Sequence, residues 1–154
     1  MHRNVRRKDR EVSIDIAVKL LVECEYGVLS TTGSDGQPYG IPLNFVYKDN
    51  CIYFHCALEG HKLENIRANN RVSFCVVGRS KVLPDKFSTA YESAIAFGEA
   101  YEVHGRERHD ALLSFIEKYS PDFIEEGKKA IGKYNDRTTV IRIDITHITG
   151  KASK

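Results

Sequence analysis

Cys51-Ile52-Tyr53-Phe54-His55-Cys56-Ala57-Leu58-Glu59-Gly60-His61-Lys62-Leu63-Glu64-Asn65-Ile66-Arg67 is the stretch on which the fold turns. Its first six residues, Cys51 to Cys56, are aromatic, β-branched and thiol side chains, the composition of a strand. A short loop follows. From Gly60 to Asn69 the pattern becomes helical, with Leu63 and Ile66 on one face. Before the strand, Lys48-Asp49-Asn50 reads as a turn. Before that turn, Tyr39 to Lys48 carries a large side chain at every odd position: Tyr39, Ile41, Leu43, Phe45 and Tyr47. Two strand patterns joined by so short a turn make a hairpin, and hairpins make antiparallel sheets. Pro42 cannot donate to a ladder, so the earlier strand should have an edge or a bulge there.

Working outward, Val28 to Thr32 predicts a strand, and Gly33 to Pro38 predicts the turn that leads into Tyr39. Upstream, Ser13 is placed to cap a helix with Ile14, Val18, Leu21 and Val22 as its stripe. Tyr26-Gly27 stops it. Residues 1–12 read as a basic arm. Downstream, Val72 to Val77 predicts a fourth strand, residues 78–90 a long excursion, and Ser93 to His104 a fifth strand weakened by Gly98. Arg106 to Tyr119 predicts a helix with Leu112, Leu113 and Ile116 inward. Ser120-Pro121 breaks it, and Asp122 to Lys133 predicts a charged second helix. Thr138 to Ile145 alternates as a last strand, and residues 149–154 read as a polar tail. Six antiparallel strands with flanking helices imply an α+β fold, a barrel rather than a parallel doubly wound sheet. The length, 154 residues, suits one domain over 1–154.

Composition narrows the function classes. Net charge is +2, and its excess is local: Arg3, Arg6, Arg7, Lys8 and Arg10 stand against Asp9. The remainder is slightly acidic, which argues against a nucleic-acid partner. No apolar run approaches the ~18 residues of a membrane span, and no signal-peptide core precedes the first helix. Cys24, Cys51, Cys56 and Cys75 form no CxxC pair. A chain of this size needs no staples, so the reading is a cytoplasmic protein with reduced thiols. His55, Cys51, Cys56 and His61 are too poorly spaced for zinc, and no metal site is expected.

The strand-to-helix stretch also carries the chemistry. His61 and Lys62 stand in the first turn of a helix, where a cation works against the macrodipole. An anion would reverse the sign, meeting free N–H groups, the positive helix end and the Lys62 ammonium together. A phosphate fits; a solvated lysine on a surface helix fits as well. His55 and Cys56 are strand neighbours and must face opposite sides. His55 could hydrogen-bond a ligand or supply a proton, or could be an ordinary packed histidine.

These residues lie in a wider pattern. It runs from Arg6-Arg7-Lys8-Asp9-Arg10-Glu11 through Asp35-Gly36-Gln37-Pro38-Tyr39 and Ile41-Pro42-Leu43-Asn44-Phe45. It continues through Ile52 to Ala57, Gly60-His61-Lys62-Leu63, Ile66-Arg67-Ala68-Asn69 and Arg71-Val72. It ends with Tyr91-Glu92-Ser93, Gly98 and Ile148-Thr149-Gly150-Lys151. The whole resembles the pyridoxamine 5′-phosphate oxidase superfamily of FMN-binding split barrels, most of all its 5-nitroimidazole-resistance branch. The resemblance implies a split-barrel homodimer with FMN at the interface, FAD being possible in its place. It implies that His61 and Lys62 hold the flavin phosphate, and that Pro42, Leu43, Asn44 and Phe45 line the ring. His55 and Cys56 would lie beside the ring and ribityl chain, with His55 the catalytic candidate, and Ser93 would come from the second subunit. The family often has arginine where this chain has His61, and a histidine is charged only on the acid side of neutrality. The implied activity is reduction of a small molecule such as a nitroaromatic, with electrons from a nicotinamide or a protein donor. The alternative is a carrier that holds flavin or haem without turnover. The tryptophan- and arginine-bearing closing segment of the true oxidases is missing: the chain has no Trp and ends Gly150-Lys151-Ala152-Ser153-Lys154.

Overall fold

The computed structural model describes residues 2–154. Its elements are β1 (Glu11–Val12), α1 (Ile14–Glu23), β2 (Tyr26–Thr32), β3 (Pro38–Asn44), β4 (Val46–Lys48) and β5 (Cys51–Cys56). They continue with α2 (His61–Ala68), β6 (Arg71–Leu83), β7 (Ser88–Val103), α3 (Gly105–Tyr119), α4 (Ile124–Lys133) and β8 (Thr139–Ser153). One antiparallel sheet runs in the order β3-β2-β6-β7-β8-β5-β4, and β1 adds to β8. The two end strands, β3 and β4, are separated in sequence only by Phe45. A sheet whose ends are one residue apart must curl into a barrel, and its split falls between them. The α+β split barrel expected from the sequence is therefore the fold. Its six main strands are those expected. The count rises to eight because Phe45 interrupts the second, expected over Tyr39 to Lys48, and Glu11–Val12 pairs with Lys151 and Gly150.

Phe45 is fully buried inside that split, against Phe74 in an edge-to-face contact at 4.7 Å. It joins a core of Leu29, Ile52, Phe54, Val76, Ile141 and Ile143 from the strands. At the ends of the barrel, α1 adds Ala17, Leu20 and Leu21, and α2 adds Leu63 and Ile66. A second core packs Ala111, Leu112 and Phe115 of α3 against Val46, Tyr53, Val103 and Val140. Along β5, Ile52 and Phe54 enter the first core and Tyr53 the second, as strand alternation requires.

Ser13 caps α1 as expected, its hydroxyl accepting from the Ile16 N–H at 3.4 Å. The helix buries Ala17, Leu20 and Leu21, whereas Ile14 and Val22 of the expected stripe are exposed. Small Ala17 is what lets α1 approach Gly150 of β8. In α3 the inward residues are Ala111, Leu112 and Phe115, while Leu113 and Ile116 are only partly buried.

Two expectations need larger correction. Residues 78–90 are not a loop excursion: β6 and β7 extend through them as a hairpin, with Ser80 opposite Tyr91 and Val82 opposite Thr89. The register shifts between Val77 and Ser80, and the turn is Pro84–Lys86. Beyond Tyr91 the hairpin is two-stranded, so its side chains are solvated and lack the strand's apolar signature. Residues 149–153 are likewise not a tail. They continue β8 and pair with residues 91–95 of β7. Backbone hydrogen bonds hold such a strand without apolar side chains.

Pro42 lies on β3, which has one partner strand, so the proline does sit at an edge. Gly98 sits at a register shift, where a Cβ would lie 2.2 Å from the Asp144 carbonyl oxygen. The close approach of β8 is what demands glycine there.

Candidate functional site

The local sequence at the end of β5 presents a helix start that no side chain among the described residues caps. Gly60, at φ 145°, takes a conformation closed to other residues and turns the chain into α2. A Cβ on it would meet nothing, so the backbone, not crowding, requires glycine. No side chain caps α2, and the first backbone bond is from the Glu64 N–H to the Gly60 carbonyl at 3.1 Å. The N–H groups of His61, Lys62 and Leu63 are thus left free at the positive end of the helix dipole. Lys62 is half-buried beside them, and among the described residues it enters no ion pair. Half-buried Cys56 is its neighbour: burial pushes the thiol's pKa up, and the Lys62 charge pulls against that shift.

The position of α2 is fixed from below. Buried Asn65 donates from Nδ2 to Thr31 Oγ1 at 3.0 Å, and Thr31 Oγ1 lies 3.5 Å from the Tyr39 carbonyl oxygen. Gly33 makes room, since a Cβ there would lie 2.8 Å from Asn65 Oδ1. Above this clamp the Tyr39 ring stacks on the exposed His61 ring, with centroids 4.0 Å apart.

The four residues at the barrel's split divide their roles. Asn44 Nδ2 donates to the Glu25 carbonyl at 2.9 Å. Phe45 is fully buried and its backbone is fully engaged. Its N–H donates to the Tyr119 hydroxyl at 3.0 Å, and its carbonyl accepts from Lys118 Nζ at 3.0 Å. That hydroxyl also lies 2.6 Å from the Glu25 carbonyl and 2.7 Å from the Phe45 carbonyl. Lys118 Nζ is 4.1 Å from the Phe45 ring centroid, and desolvation holds its pKa below the ordinary lysine value. Pro42 is exposed and Leu43 half-buried against the main core, on the open margin of β3.

The structure therefore brings Cys56, His61 and Lys62 together at one end of the barrel, with β3 alongside. His55 is elsewhere. It faces α3, its ring edge-on to Phe115 at 4.7 Å, and packing lowers its pKa although solvent reaches it. Ser93 is farther still. His55 is in register with Val140 and Val140 with Val103, and Ser93 lies ten residues from Val103 along β7. That is roughly 30 Å of strand. One chain does not bring Ser93 to Lys62.

Tyr39, Thr31 and Asn65 are the residues sequence reasoning missed. Asn65 had a signal, being polar and adjacent to Ile66 on the inward face of a short helix. Tyr39 shows in the sequence only as one of the large side chains at the odd positions of its strand. A groove of about 630 Å³ lies on the outer face of β2, β6 and β7, with Thr31, Arg71, Ser73 and Phe97 in its lining. None of the residues that the resemblance implies for the flavin lines it, although Pro38, Asn69, Arg71, Val72 and Gly98 of the wider pattern do. Among the described residues no cluster of three metal-ligating side chains occurs, and no helix is long and apolar enough to cross a membrane.

The sequence profile described as pyridoxamine 5′-phosphate oxidase matches residues 13–152. A search of curated proteins finds no match. Among solved structures, the chain is similar to a candidate 5-nitroimidazole antibiotic resistance protein from Bacteroides thetaiotaomicron. The two are 21% identical with TM-score 0.77, over 97% of this chain and 95% of that one. An FAD-binding protein from Mesorhizobium loti is 25% identical with TM-score 0.69, over 94% and 98%. The FAD and heme binding protein from Mycobacterium smegmatis is 17% identical with TM-score 0.82, over 94% and 74%.

Proposed function

Because the chain belongs to the pyridoxamine 5′-phosphate oxidase family, we propose that it binds FMN by its phosphate at the start of α2 and serves as an oxidoreductase for a small molecule. The observation that carries this reading is the uncapped helix start with Lys62 beside it. Three free N–H groups, a helix dipole and an ammonium without an ion pair suit a phosphate. The fit extends to the ring: the exposed margin of β3 at Pro42 and Leu43 offers backbone groups beside apolar surface. FAD suits the same place if its adenylate end lies in solvent, and the FAD-binding relatives support that variant.

Bound there, a flavin supplies two-electron redox chemistry, and the chain supplies orientation and charge. Cys56 and Lys62 stand beside the phosphate and ribityl end. His55 is proposed as the proton-bearing group. Burial lowers its pKa, and its ring stands edge-on to Phe115 on the α3 side of β5, so in this reading it acts from that side, as a hydrogen-bond partner. A nicotinamide or protein electron donor and a nitroaromatic acceptor, such as a 5-nitroimidazole, are the proposed co-substrates. The similarity to the resistance protein supports that choice.

The proposed assembly is a homodimer with flavin at the interface. In support, the outer face of β3-β2-β6-β7 carries the row Pro42, Val28, Cys75 and Ile95, in register and at least partly open to solvent. Ser93 lies on the same strand as Ile95, too far from Lys62 to serve it within one chain. A second copy seated on this face can bring Ser93 to the other's flavin.

The test is an absorbance spectrum of the purified protein followed by FMN titration. Bands near ~370 and ~450 nm, or saturable binding, support the reading. A colourless protein that binds no flavin overturns it. Reduction of a nitroaromatic by NADH or NADPH separates an enzyme from a carrier. Turnover of pyridoxine phosphate with oxygen would assign it to the oxidase branch instead.

A further inference from the structure

We infer that Tyr39 is a positioning residue for the phosphate subsite, setting its preference for a phosphorylated ligand by holding the His61 ring in place. The inference rests on the proposed FMN site. It starts from an arrangement that packing alone does not explain. His61 is exposed, yet its ring lies flat against Tyr39, 4.0 Å between centroids and 28° between planes. An exposed histidine in a first helical turn ordinarily samples several rotamers, and ordering one costs entropy. The stack offsets that cost in advance.

The stack is also tied to the helix it serves. Tyr39 approaches α2 at two points. Its ring meets His61, and its carbonyl lies 3.5 Å from Thr31 Oγ1, which itself accepts from Asn65 of α2. The ring contact thus cannot drift independently of the helix start. Among the described residues, neither the Tyr39 hydroxyl nor either His61 ring nitrogen makes a hydrogen bond. The imidazole is held in orientation by its face while its nitrogens stay free for a ligand. His61 occupies the position where the family often has arginine. An arginine's five donors tolerate several orientations, whereas an imidazole has two nitrogens and needs its plane fixed. Tyr39 provides that plane.

The experiment measures the ratio of FMN to riboflavin affinity, by quenching of flavin fluorescence, for the wild type and for Tyr39→Phe, Tyr39→Leu and His61→Ala. Riboflavin lacks the phosphate and shares everything else. The wild type should prefer FMN. Tyr39→Phe keeps the stack and should keep the ratio within about twofold. Tyr39→Leu keeps bulk on β3 but not the aromatic face. It should cut FMN affinity about five- to tenfold, a part of one charge-assisted hydrogen bond, and leave riboflavin within about twofold. Placed in the His61→Ala background it should have no further effect on the ratio. An unchanged ratio in Tyr39→Leu, or an equal loss for both flavins, overturns the inference and leaves the flavin site standing. A wild type that binds FMN no better than riboflavin overturns the phosphate site itself.

Discussion

Lys62→Ala separates ligand binding from folding, because the structure gives the two effects different signs. With FMN, the ammonium would contribute one charge-assisted hydrogen bond at a half-buried position. Such a bond is worth about 1.5–3 kcal/mol, or about ten- to 150-fold in affinity. Without FMN, Lys62 has no ion pair among the described residues and sits in the first turn of α2. A cation there opposes the helix dipole by about 0.3–1 kcal/mol. Removing it should relieve that penalty and forfeit a little packing of its aliphatic stem. The expected result is weaker FMN binding with apo stability unchanged or slightly raised. Fluorescence titration gives the first quantity and urea denaturation of flavin-free protein the second. Unchanged FMN affinity removes the phosphate from Lys62. Lower affinity with an equal loss of apo stability would show that Lys62 supports the fold instead.

Three further outcomes follow from other contacts. Asn65→Ala strands Thr31 in the core and unties α2 from β2; it should cost about 1–3 kcal/mol in urea denaturation, and a loss near zero would show the clamp to be idle. Ile95→Glu puts a carboxylate at the end of the row Pro42-Val28-Cys75-Ile95, on the strand that carries Ser93, so on the proposed assembly sedimentation should find it monomeric where the wild type is dimeric; a dimer of unchanged stability would place the interface elsewhere. The Arg142 guanidinium, 2.7 Å from Glu107, holds the Glu107 pKa below the usual carboxylate value. Its stabilisation is therefore complete above the ordinary carboxylate pKa and is lost as pH falls through the depressed one, and Glu107→Gln should flatten the acid limb of a stability–pH curve.

What the sequence made legible was what local chemistry decides. The strand composition of Cys51 to Cys56, the turn at Lys48-Asp49-Asn50 and the proline at 42 each describe their own neighbourhood, and each is where it was expected. The free helix start at Gly60 is local too. The misses are long-range. Residues 149–153 hold to β7 by backbone bonds that leave no mark on side-chain pattern. The Tyr39 ring and the Asn65 amide matter because β3 and α2 meet in space, and no periodicity records that meeting. Phe45 shows both sides of the limit. Its size marked it as buried or lining, but that its backbone is consumed by Lys118 and Tyr119, over 70 residues away, is visible only in three dimensions.

The split at Phe45 also bears on how the chain avoids self-templating. An open sheet margin invites another chain to add to it, and growth from margin to margin leads to aggregates. Here one margin is β3, interrupted by Pro38 and Pro42, which lack the N–H an incoming strand needs. The other is β4, only three residues long. Being joined through a single residue, they turn toward the same seam. Neither offers a foreign strand a usable template. Strand-by-strand growth from this seam is thereby disfavoured.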